Sequence, residues 1–262
     1  MLNGDFSRRI IVVTGAAGGI GAAIAARFAD EAGVLALWDR DPAVHKIAAD
    51  LPARSAYGVE LDVSDGAAVR AAFDHLGAEY GTPDVVVHAA GLMVGGSALE
   101  LDPEDWTRCL TVNATGTMLV SQRAAADMAR AGRGAIVVVS SNAAATPRVA
   151  MAAYGAAKAA ATSFTRSLAL QVAPLGVRVN LVSPGSTDTP MLRDMFGGTA
   201  LDDAAENALF DGDPSVYRLG IPLRRIATPA DIAGAVHFLA SEDARHITMH
   251  DLRVDGGATL DM

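Results

Sequence analysis

The sequence predicts an α/β protein built on a single Rossmann-type, doubly wound parallel sheet with helices on both faces. Short runs rich in Val and Ile alternate with longer alanine-rich stretches, which is typical of parallel strands joined by crossover helices. A glycine-rich turn follows the first run, and aspartates end the second and third. No repeat, low-complexity tract or linker divides the 262 residues, so we expect one dinucleotide-binding domain over 1–262.

The apolar runs set the predicted elements. In chain order we expect strands at 9–13, 34–38, 56–61, 84–88, 135–139 and 177–182, with a short seventh at 252–254. The first helix is predicted over 19–32, because Ile20, Ile24 and Phe28 recur at four-residue steps along one face.

Two long helices are expected later in the chain, over 106–131 and 154–172. The stretch 190–221 differs from both, with scattered Gly and Asp, weak periodicity and a position just after a strand end. We therefore expect it to be a mobile lid over the site.

Composition and charge restrict the possible partners. Hydrophobic residues make up 51% of the chain, which argues against disorder. No apolar run reaches the roughly 18 residues of a membrane-spanning helix. The net charge of −9 disfavours nucleic acid or an anionic membrane as the main partner. With one cysteine, Cys109, no visible secretory leader and no Cys/His cluster of metal-ligand spacing, we expect a cytoplasmic protein without a metal.

Four glycines mark the turn after the first strand, and three of them have the spacing Gly-x-x-x-Gly-x-Gly. A side chain at Gly15 would crowd the turn, and one at Gly19 or Gly21 would keep a phosphate or the strand away from the helix. The spacing Gly-x-x-x-Gly-x-Gly also fits a plain glycine-rich turn. The strand before it, the helix after it and the acid at the end of the next strand favour a pyrophosphate site.

The acids at the strand ends bear on the choice of cofactor. A carboxylate at Asp39 accepts hydrogen bonds from ribose hydroxyls and repels a 2′-phosphate, so the expected cofactor is NAD and not NADP. A helix-capping or solvated Asp39 is the alternative, and the adjacent Arg40 could weaken the discrimination. Asp62 is a candidate for binding the adenine amino group, with a turn aspartate as the alternative.

A proton-transfer group is predicted in the middle of the chain. Tyr154 and Lys158 are four residues apart and share a helix face. A free tyrosine titrates near pH 10, so we expect the Lys158 ammonium to lower the pKa by stabilising the phenolate. Ser141 closes the fifth strand and could hold the substrate oxygen beside Tyr154. Because side chains alternate along a strand, only one of Ser140 and Ser141 can point into the site.

These motifs make the chain similar to the short-chain dehydrogenases/reductases over nearly its full length. The matching positions are Thr14, Gly15, Gly19, Ile20, Gly21, Asp62, Val63, Ala90, Gly91, Asn113, Ser141, Tyr154, Lys158, Asn180, Pro184 and Gly185. One stretch departs: the family's Asn-Asn-Ala-Gly reads His88-Ala89-Ala90-Gly91 here. We expect His88 to be a core residue, with a contact to the adenosine half as the alternative. Asn113 is a poor helix former within a predicted helix, so we expect a kink there that holds a water near Lys158.

The resemblance implies roles for these residues. Tyr154 is expected to be the acid/base, with Lys158 lowering its pKa and binding the nicotinamide ribose. Ser141 is expected to orient the substrate, and Asn113 to support a proton relay. The implied cofactor contacts are Gly15, Gly19, Ile20, Gly21, Asp39, Asp62, Val63, Ala90, Gly91, Tyr154, Lys158, Pro184, Gly185 and Thr187.

Further segments resemble those family members that oxidise a cyclic diol carboxylate to a catechol acid of siderophores. They are 145–151, 183–190, 219–223, 246–248 and 254–260. In an acidic protein an anionic substrate needs a local cation, and we expect Arg148 to bind the carboxylate; a surface or acid-paired arginine is the alternative. The expected substrate contacts are Ser141, Arg148, Met151 and Tyr154. Met151 would join Met93 and Met191 in an apolar wall for the ring.

Several alternatives remain open at this point. The substrate could be a dihydro-hydroxyanthranilate, with an amine replacing one hydroxyl, or the protein could be a generic ketone or 3-oxoacyl reductase. A catalytically silent NAD-binding scaffold is disfavoured, because all four catalytic positions are present. The resemblance also implies a homotetramer formed through the two long helices, of which the second is rich in small alanine side chains.

Overall fold

The computed structural model describes residues 6–198 and 200–260. The strands in these ranges are β1 (Ile10–Thr14), β2 (Val34–Asp39), β3 (Ala56–Glu60), β4 (Val85–His88), β5 (Gly134–Val139), β6 (Val177–Pro184), β7 (Gly212–Asp213), β8 (Arg218–Leu219) and β9 (Asp251–Val254). Seven of them form one parallel sheet in the order β3-β2-β1-β4-β5-β6-β9, and β7 pairs with β8 as an antiparallel hairpin. The predicted fold class is confirmed, and each predicted strand lies within two residues of its observed position.

The helices in the same ranges are α1 (Gly19–Ala29), α2 (Ala43–Asp50), α3 (Gly66–Glu79), α4 (Pro103–Leu110), α5 (Gly116–Ala131), α6 (Ala152–Val172), α7 (Pro190–Asp194), α8 (Asp203–Asp211) and α9 (Pro229–Ala240). The helix predicted over 106–131 is α4 and α5, joined by a π-helical turn at Thr111–Thr115. α1 ends three residues before its predicted end, because Gly33 already turns the chain into β2 through bonds from its N–H to the Phe6 and Arg9 carbonyls.

The core is two apolar layers on opposite faces of the sheet. Val13 of β1 faces the layer formed with α1, α2 and α9, and the preceding Val12 faces the layer formed with α3, α5 and α6. Burial on both faces explains why the strands read as continuous apolar runs. The strand order reverses between β1 and β4, and in open α/β sheets the crevice beyond the carboxyl ends at this point is where ligands bind.

The segment 190–221 is folded into α7, α8 and the β7–β8 hairpin. It has a small apolar cluster of its own, in which Leu192, Leu209 and Ile221 pack with Ala258 from the end of the chain. Its residues Met191, Leu192 and Arg218 border a cavity together with residues at the strand ends, and its role as a mobile lid stays a prediction. None of the helices described here has the length and apolar character needed to cross a bilayer.

Candidate active site

The glycine-rich turn is as tight as its sequence predicts. Gly15 has a φ of +69°, and a Cβ there would lie 2.6 Å from the Ala90 amide nitrogen. A Cβ at Gly21 would lie 2.0 Å from the Gly15 carbonyl oxygen, and one at Gly19 would lie 3.0 Å from a methyl of Thr189. The turn can therefore pack against the loop at Ala90 and against the start of α1 only with glycine at 15 and 21, whereas a methyl at 19 would require Thr189 to shift. The unpaired N–H groups of this first helical turn form a site for an anion.

A cavity of about 340 Å³ runs along this turn. Its lining includes most of the predicted cofactor contacts: Gly15, Gly19, Ile20, Gly21, Asp39, Asp62, Val63, Ala90 and Gly91. A glycine cradle beside a carboxylate at the end of β2 fits a dinucleotide, with the pyrophosphate at the turn and the adenosine ribose at Asp39. We call this the adenosine cavity.

Two aspartates at its rim are held by backbone amides. Asp39 accepts from the N–H of Ala17 at 2.9 Å and from the N–H of Asp41 at 3.0 Å, so its carboxylate is fixed beside the glycine turn. Asp62 accepts from both the N–H and the hydroxyl of Ser64, which lowers the pKa of Asp62. Asp62 is thus a turn aspartate that also lines the cavity, and its contact to the adenine amino group stays a prediction.

A second cavity of about 330 Å³ adjoins the first through Ile20, Ala89, Gly91, Thr189 and Met191. We call it the substrate cavity. The other predicted cofactor contacts, Pro184, Gly185 and Thr187, line this second cavity, as do Ser141, Arg148, Met151, Tyr154 and Lys158. Every predicted substrate contact therefore borders the space beside the catalytic groups.

Asn113 lies in the π-helical turn, where the predicted kink is confirmed. Its carboxamide pairs with the backbone of Leu92: Oδ1 accepts from the N–H at 3.2 Å and Nδ2 donates to the carbonyl at 2.9 Å. A Cβ on Gly91 would lie 2.8 Å from this Oδ1. Asn113 therefore fixes the loop after β4 that separates the two cavities. The water expected near Lys158 stays a prediction.

The two serines at the end of β5 point in different directions. The Ser140 hydroxyl is bonded to the Thr162 hydroxyl at 2.7 Å inside the core. Ser141 lines the substrate cavity, and its Oγ accepts from the Ala143 N–H at 3.2 Å. Both residues border the substrate cavity, but the Ser140 hydroxyl is taken by Thr162, whereas the Ser141 hydroxyl is hydrogen-bonded with Tyr154, so Ser141 is the serine beside the reacting group, as predicted.

Tyr154 and Lys158 lie on one face near the start of α6, and both are nearly buried, with exposed fractions of 8% and 5%. The Lys158 Nζ lies 5.9 Å from the centroid of the Tyr154 ring and donates to the Val139 carbonyl at 2.9 Å. Both side chains border the substrate cavity, so the predicted shared face is confirmed.

The predicted lowering of the tyrosine pKa is wrong for the protein by itself. Burial raises the pKa of Tyr154 to about 12, and a hydrogen bond with Ser141 only partly opposes this rise. Burial also lowers the pKa of Lys158 to about 8. Lys158 therefore loses its proton before Tyr154 ionises, and a neutral amine cannot stabilise a phenolate by charge. At neutral pH Lys158 still carries its charge.

The substrate cavity has an apolar wall and a charged rim. Met93, Met151 and Met191 all line it, together with Leu192, Met195 and Phe196. Arg148 is half-buried and donates to the Ala258 carbonyl at 3.4 Å. Arg148 thus borders the same cavity as the reacting groups, and its binding of the substrate carboxylate stays a prediction.

Several residues that line the two cavities were not predicted from the sequence. Thr189 borders both cavities, and Ser186, Arg218 and Ala258 border the substrate cavity. Ser186, Thr189 and Ala258 belong to segments that carried the closer resemblance, so that resemblance could have pointed to them. Arg218 lies in the weakly periodic lid, where no pattern in the sequence distinguishes it.

His88 is a core residue, as expected. It is buried, its Nδ1 is 2.9 Å from the Thr14 hydroxyl, and its Nε2 has no partner among the described residues. Burial lowers the pKa of His88 to about 3, and the charge of Lys158 adds to the effect. His88 does not line the adenosine cavity. No group of three or more His, Cys, Asp or Glu side chains in the described ranges could hold a metal ion.

Comparison with known proteins gives the family. A protein-family model described as enoyl-(acyl carrier protein) reductase matches residues 15–259. The chain is 40% identical over 255 residues to 2,3-dihydro-2,3-dihydroxybenzoate dehydrogenase of Bacillus subtilis (strain 168), with 96% of each chain covered. It is 41% identical over 257 residues to the Escherichia coli (strain K12) enzyme of the same name, with 98% of this chain and 99% of that enzyme covered. The chain belongs to the short-chain dehydrogenase/reductase family.

Two further matches extend this picture. Cis-4-hydroxycyclohexanecarboxylate dehydrogenase of Sinomonas cyclohexanicum is 37% identical over 257 residues, with 97% of this chain and 98% of the relative covered. A crystal structure titled ribose-5-phosphate isomerase from Brucella melitensis 16M matches with a TM-score of 0.86 at 36% identity. The match covers 98% of this chain and 95% of that chain. The family's fold is thus shared, and this short-chain dehydrogenase is an NAD(P)-dependent oxidoreductase.

Proposed function

We propose that this protein oxidises 2,3-dihydro-2,3-dihydroxybenzoate to 2,3-dihydroxybenzoate with NAD, in the cytoplasm, as a step of siderophore biosynthesis. The proposal depends mainly on one observation: a single cavity is lined by Ser141, Tyr154 and Lys158 together with the half-buried Arg148. The first three suit alcohol oxidation, and a guanidinium suits a ring carboxylate. The relatives from Bacillus subtilis and Escherichia coli support the same substrate.

The preference for NAD over NADP rests on Asp39. Its carboxylate is fixed at the adenosine cavity by two backbone amides, at the strand end where such an acid accepts from the ribose hydroxyls. A 2′-phosphate at that point would meet a like charge. Arg40 lines the same cavity, so the preference is expected to be strong but not absolute.

The proposed chemistry uses three side chains. The Ser141 hydroxyl holds the oxygen of the C3 alcohol while Tyr154 removes its proton and a hydride leaves the same carbon. NAD, when bound, supplies the acceptor for this hydride. The resulting ketone enolises to an aromatic catechol acid, and the gain of aromaticity draws the oxidation forward.

Proton removal by Tyr154 requires help, because burial raises its pKa to about 12. Lys158, one helical turn along, has a pKa of about 8 and is charged at neutral pH. A ribose hydroxyl beside Lys158 would favour the ammonium form, and the retained charge would then stabilise the phenolate. The expected lowering of the Tyr154 pKa therefore belongs to the complex with the cofactor.

A homotetramer formed through α5 and α6 is part of the proposal. One face of α6 carries small side chains that are at least partly exposed: Ala152, Ala156, Ala159, Ala160 and Ser163. Small side chains allow two helices to approach closely. Leu170, further along the helix, is 66% exposed, which an interface at this face would cover.

The test is to mix the purified protein with NAD and 2,3-dihydro-2,3-dihydroxybenzoate. We expect NADH absorbance and catechol fluorescence to rise together, with NADP a much poorer acceptor. No turnover of this diol acid would overturn the proposal. Turnover of the dihydro-hydroxyanthranilate instead would favour the amine-bearing substrate, and reduction of a 3-oxoacyl thioester would favour a ketoreductase.

A second candidate substrate is cis-4-hydroxycyclohexanecarboxylate. The relative from Sinomonas cyclohexanicum favours it, since its name also places a hydroxyl and a carboxylate on a six-membered ring. The same cavity and cation would serve both acids. A higher kcat/KM for this saturated alcohol than for the diol acid would move the assignment to it.

A further inference from the structure

Among the described lid residues that line the substrate cavity, Arg218 is the charged one. It begins β8, the second strand of the lid hairpin, and it is half-buried. Its neighbours Tyr217 and Leu219 point outwards, with exposed fractions of 91% and 51%. The Arg218 guanidinium reaches back to the end of β6, where it donates to the Ser186 hydroxyl at 3.2 Å. The hairpin thus turns one long cation inwards over the space beside the catalytic groups.

The cavity around Arg218 is cationic. Of its described lining residues, Arg148, Lys158 and Arg218 carry positive charge and none is an Asp or Glu. Burial lowers the pKa of Arg218, the charge of Arg148 lowers it further, and Asp213 on the paired strand acts in the opposite direction. Two guanidiniums that repel each other in a partly apolar cavity are stabilised by an anion that contacts both.

We propose that Arg218 binds the substrate carboxylate together with Arg148. The inference rests on the proposed function, because it assigns a residue to the acid group of that substrate. Arg148 stands in the loop just before α6, whereas Arg218 stands on the lid hairpin. The lid therefore carries one of the two carboxylate contacts, and an alcohol without a carboxylate makes neither contact. A site built in this way discriminates strongly against a neutral analogue.

The experiment compares the diol acid with the same cyclohexadiene diol lacking its carboxylate. In Arg218→Met we expect KM for the acid to rise about tenfold to a hundredfold, the range for a hydrogen bond to a charged group. kcat/KM for the neutral diol should fall far less than kcat/KM for the acid. Arg218→Lys should recover part of the loss, because it keeps the charge but not the planar fork.

A matched control removes a positive charge from the same region outside the cavity. Arg224 is exposed, pairs with Asp211 and does not line the substrate cavity. Arg224→Met should leave KM for the acid unchanged. In the double variant of Arg148 and Arg218, the loss should differ from the sum of the single losses, because both groups contact one carboxylate.

Two outcomes overturn the inference: an unchanged KM for the acid in Arg218→Met, or an equal loss for acid and neutral diol. If Arg218→Met does not fold, Arg218→Lys gives the same test, with a smaller rise confined to the acid. If the wild-type protein leaves the diol acid unoxidised, the proposed function fails by itself. Arg218 is then judged by calorimetric binding of 2,3-dihydroxybenzoate against catechol with NADH present, where loss of the acid's advantage in Arg218→Met supports it.

Discussion

At the scale of single residues, the environment of a side chain matters as much as its chemical type. Tyr154 and Lys158 would be unremarkable on a solvated helix. Here burial moves their two pKa values in opposite directions and leaves the lysine with the lower one, about 8 against about 12. The pair can work as a base at neutral pH only if Lys158 keeps its charge in the complex with the cofactor while Tyr154 ionises.

Tyr154→Phe tests the role of the phenol. We expect kcat for the diol acid to fall at least about a hundredfold, because general base catalysis typically contributes a factor of this size or more. The affinity for NAD, measured by fluorescence quenching, should change little, because the phenyl ring keeps its place against the cavity wall. Turnover close to that of the wild type would contradict the assignment.

His88 predicts a dependence of stability on pH. In the folded protein burial lowers its pKa to about 3, whereas in the unfolded chain it titrates near the ordinary value of 6.5. Below pH 6.5 His88 therefore binds a proton in the unfolded chain but not in the folded protein. The free energy of unfolding falls as the pH is lowered, and the stabilisation that comes from an uncharged His88 is fully present only above pH 6.5.

His88→Asn, which restores the residue of the family pattern, should remove this contribution. Between pH 7.5 and pH 5 we expect the variant to lose about 2 kcal/mol less of its free energy of unfolding than the wild type. Urea unfolding at the two pH values measures the difference. His45→Asn, an exposed position on α2, is the control and should follow the wild type. An equal loss in His88→Asn and wild type would contradict the prediction.

At the scale of elements, the glycine turn and the start of α1 form one unit. The turn is closed because Gly21 lies against the Gly15 carbonyl and Gly15 lies against the loop after β4. That loop is in turn fixed by Asn113 in the π-helical turn between α4 and α5. Three elements distant in sequence thus define the wall between the adenosine and substrate cavities.

Gly21→Ala should disrupt this unit. The new methyl would lie 2.0 Å from the Gly15 carbonyl oxygen, so either the turn opens or α1 moves. We expect a lower melting temperature and a large loss of NAD affinity. Gly77→Ala in α3 is the matched control, because a methyl there meets nothing within 4 Å. That change should raise the free energy of unfolding by about 0.5–1 kcal/mol and leave NAD affinity alone.

At the scale of the whole molecule, the site is assembled at one edge of the sheet. The carboxyl ends of β1, β2, β4, β5 and β6 supply residues to the two cavities, and the lid and the end of the chain complete the walls. The Arg148 contact to the Ala258 carbonyl joins the scaffold to this last segment. Asp255 supports the same segment by accepting from Asn142 and Thr259.

The proposed homotetramer can be tested on the face of α6 that carries small side chains. Ala160 is exposed in the single chain, so an arginine there fits a folded protomer but not a close contact between two helices. We expect the wild type to have the mass of a tetramer by light scattering and Ala160→Arg to yield smaller species. Ala71→Arg, at an exposed position of α3, should leave the mass unchanged. A monomeric wild type would contradict the proposed assembly.

The sequence by itself determined the strands of the sheet and the tight glycine turn. It also determined the place of Asp39 at the end of β2 and the helix face that Tyr154 and Lys158 share. Each of these depends on residues close together in the chain, where the geometry of a strand, a tight turn or a helix fixes what the neighbours can do. The kink at Asn113 was also predictable, because a poor helix former inside a helix needs a compensating feature.

The tertiary structure alone decided which distant groups line the same cavity and how far each of them is buried from water. It brought Arg218 from the lid to the cavity of Arg148, paired Asn113 with Leu92, and raised the Tyr154 pKa that local spacing had predicted to fall. Burial and through-space distance arise from the packing of remote segments. A pKa depends on both, so no local pattern determines it.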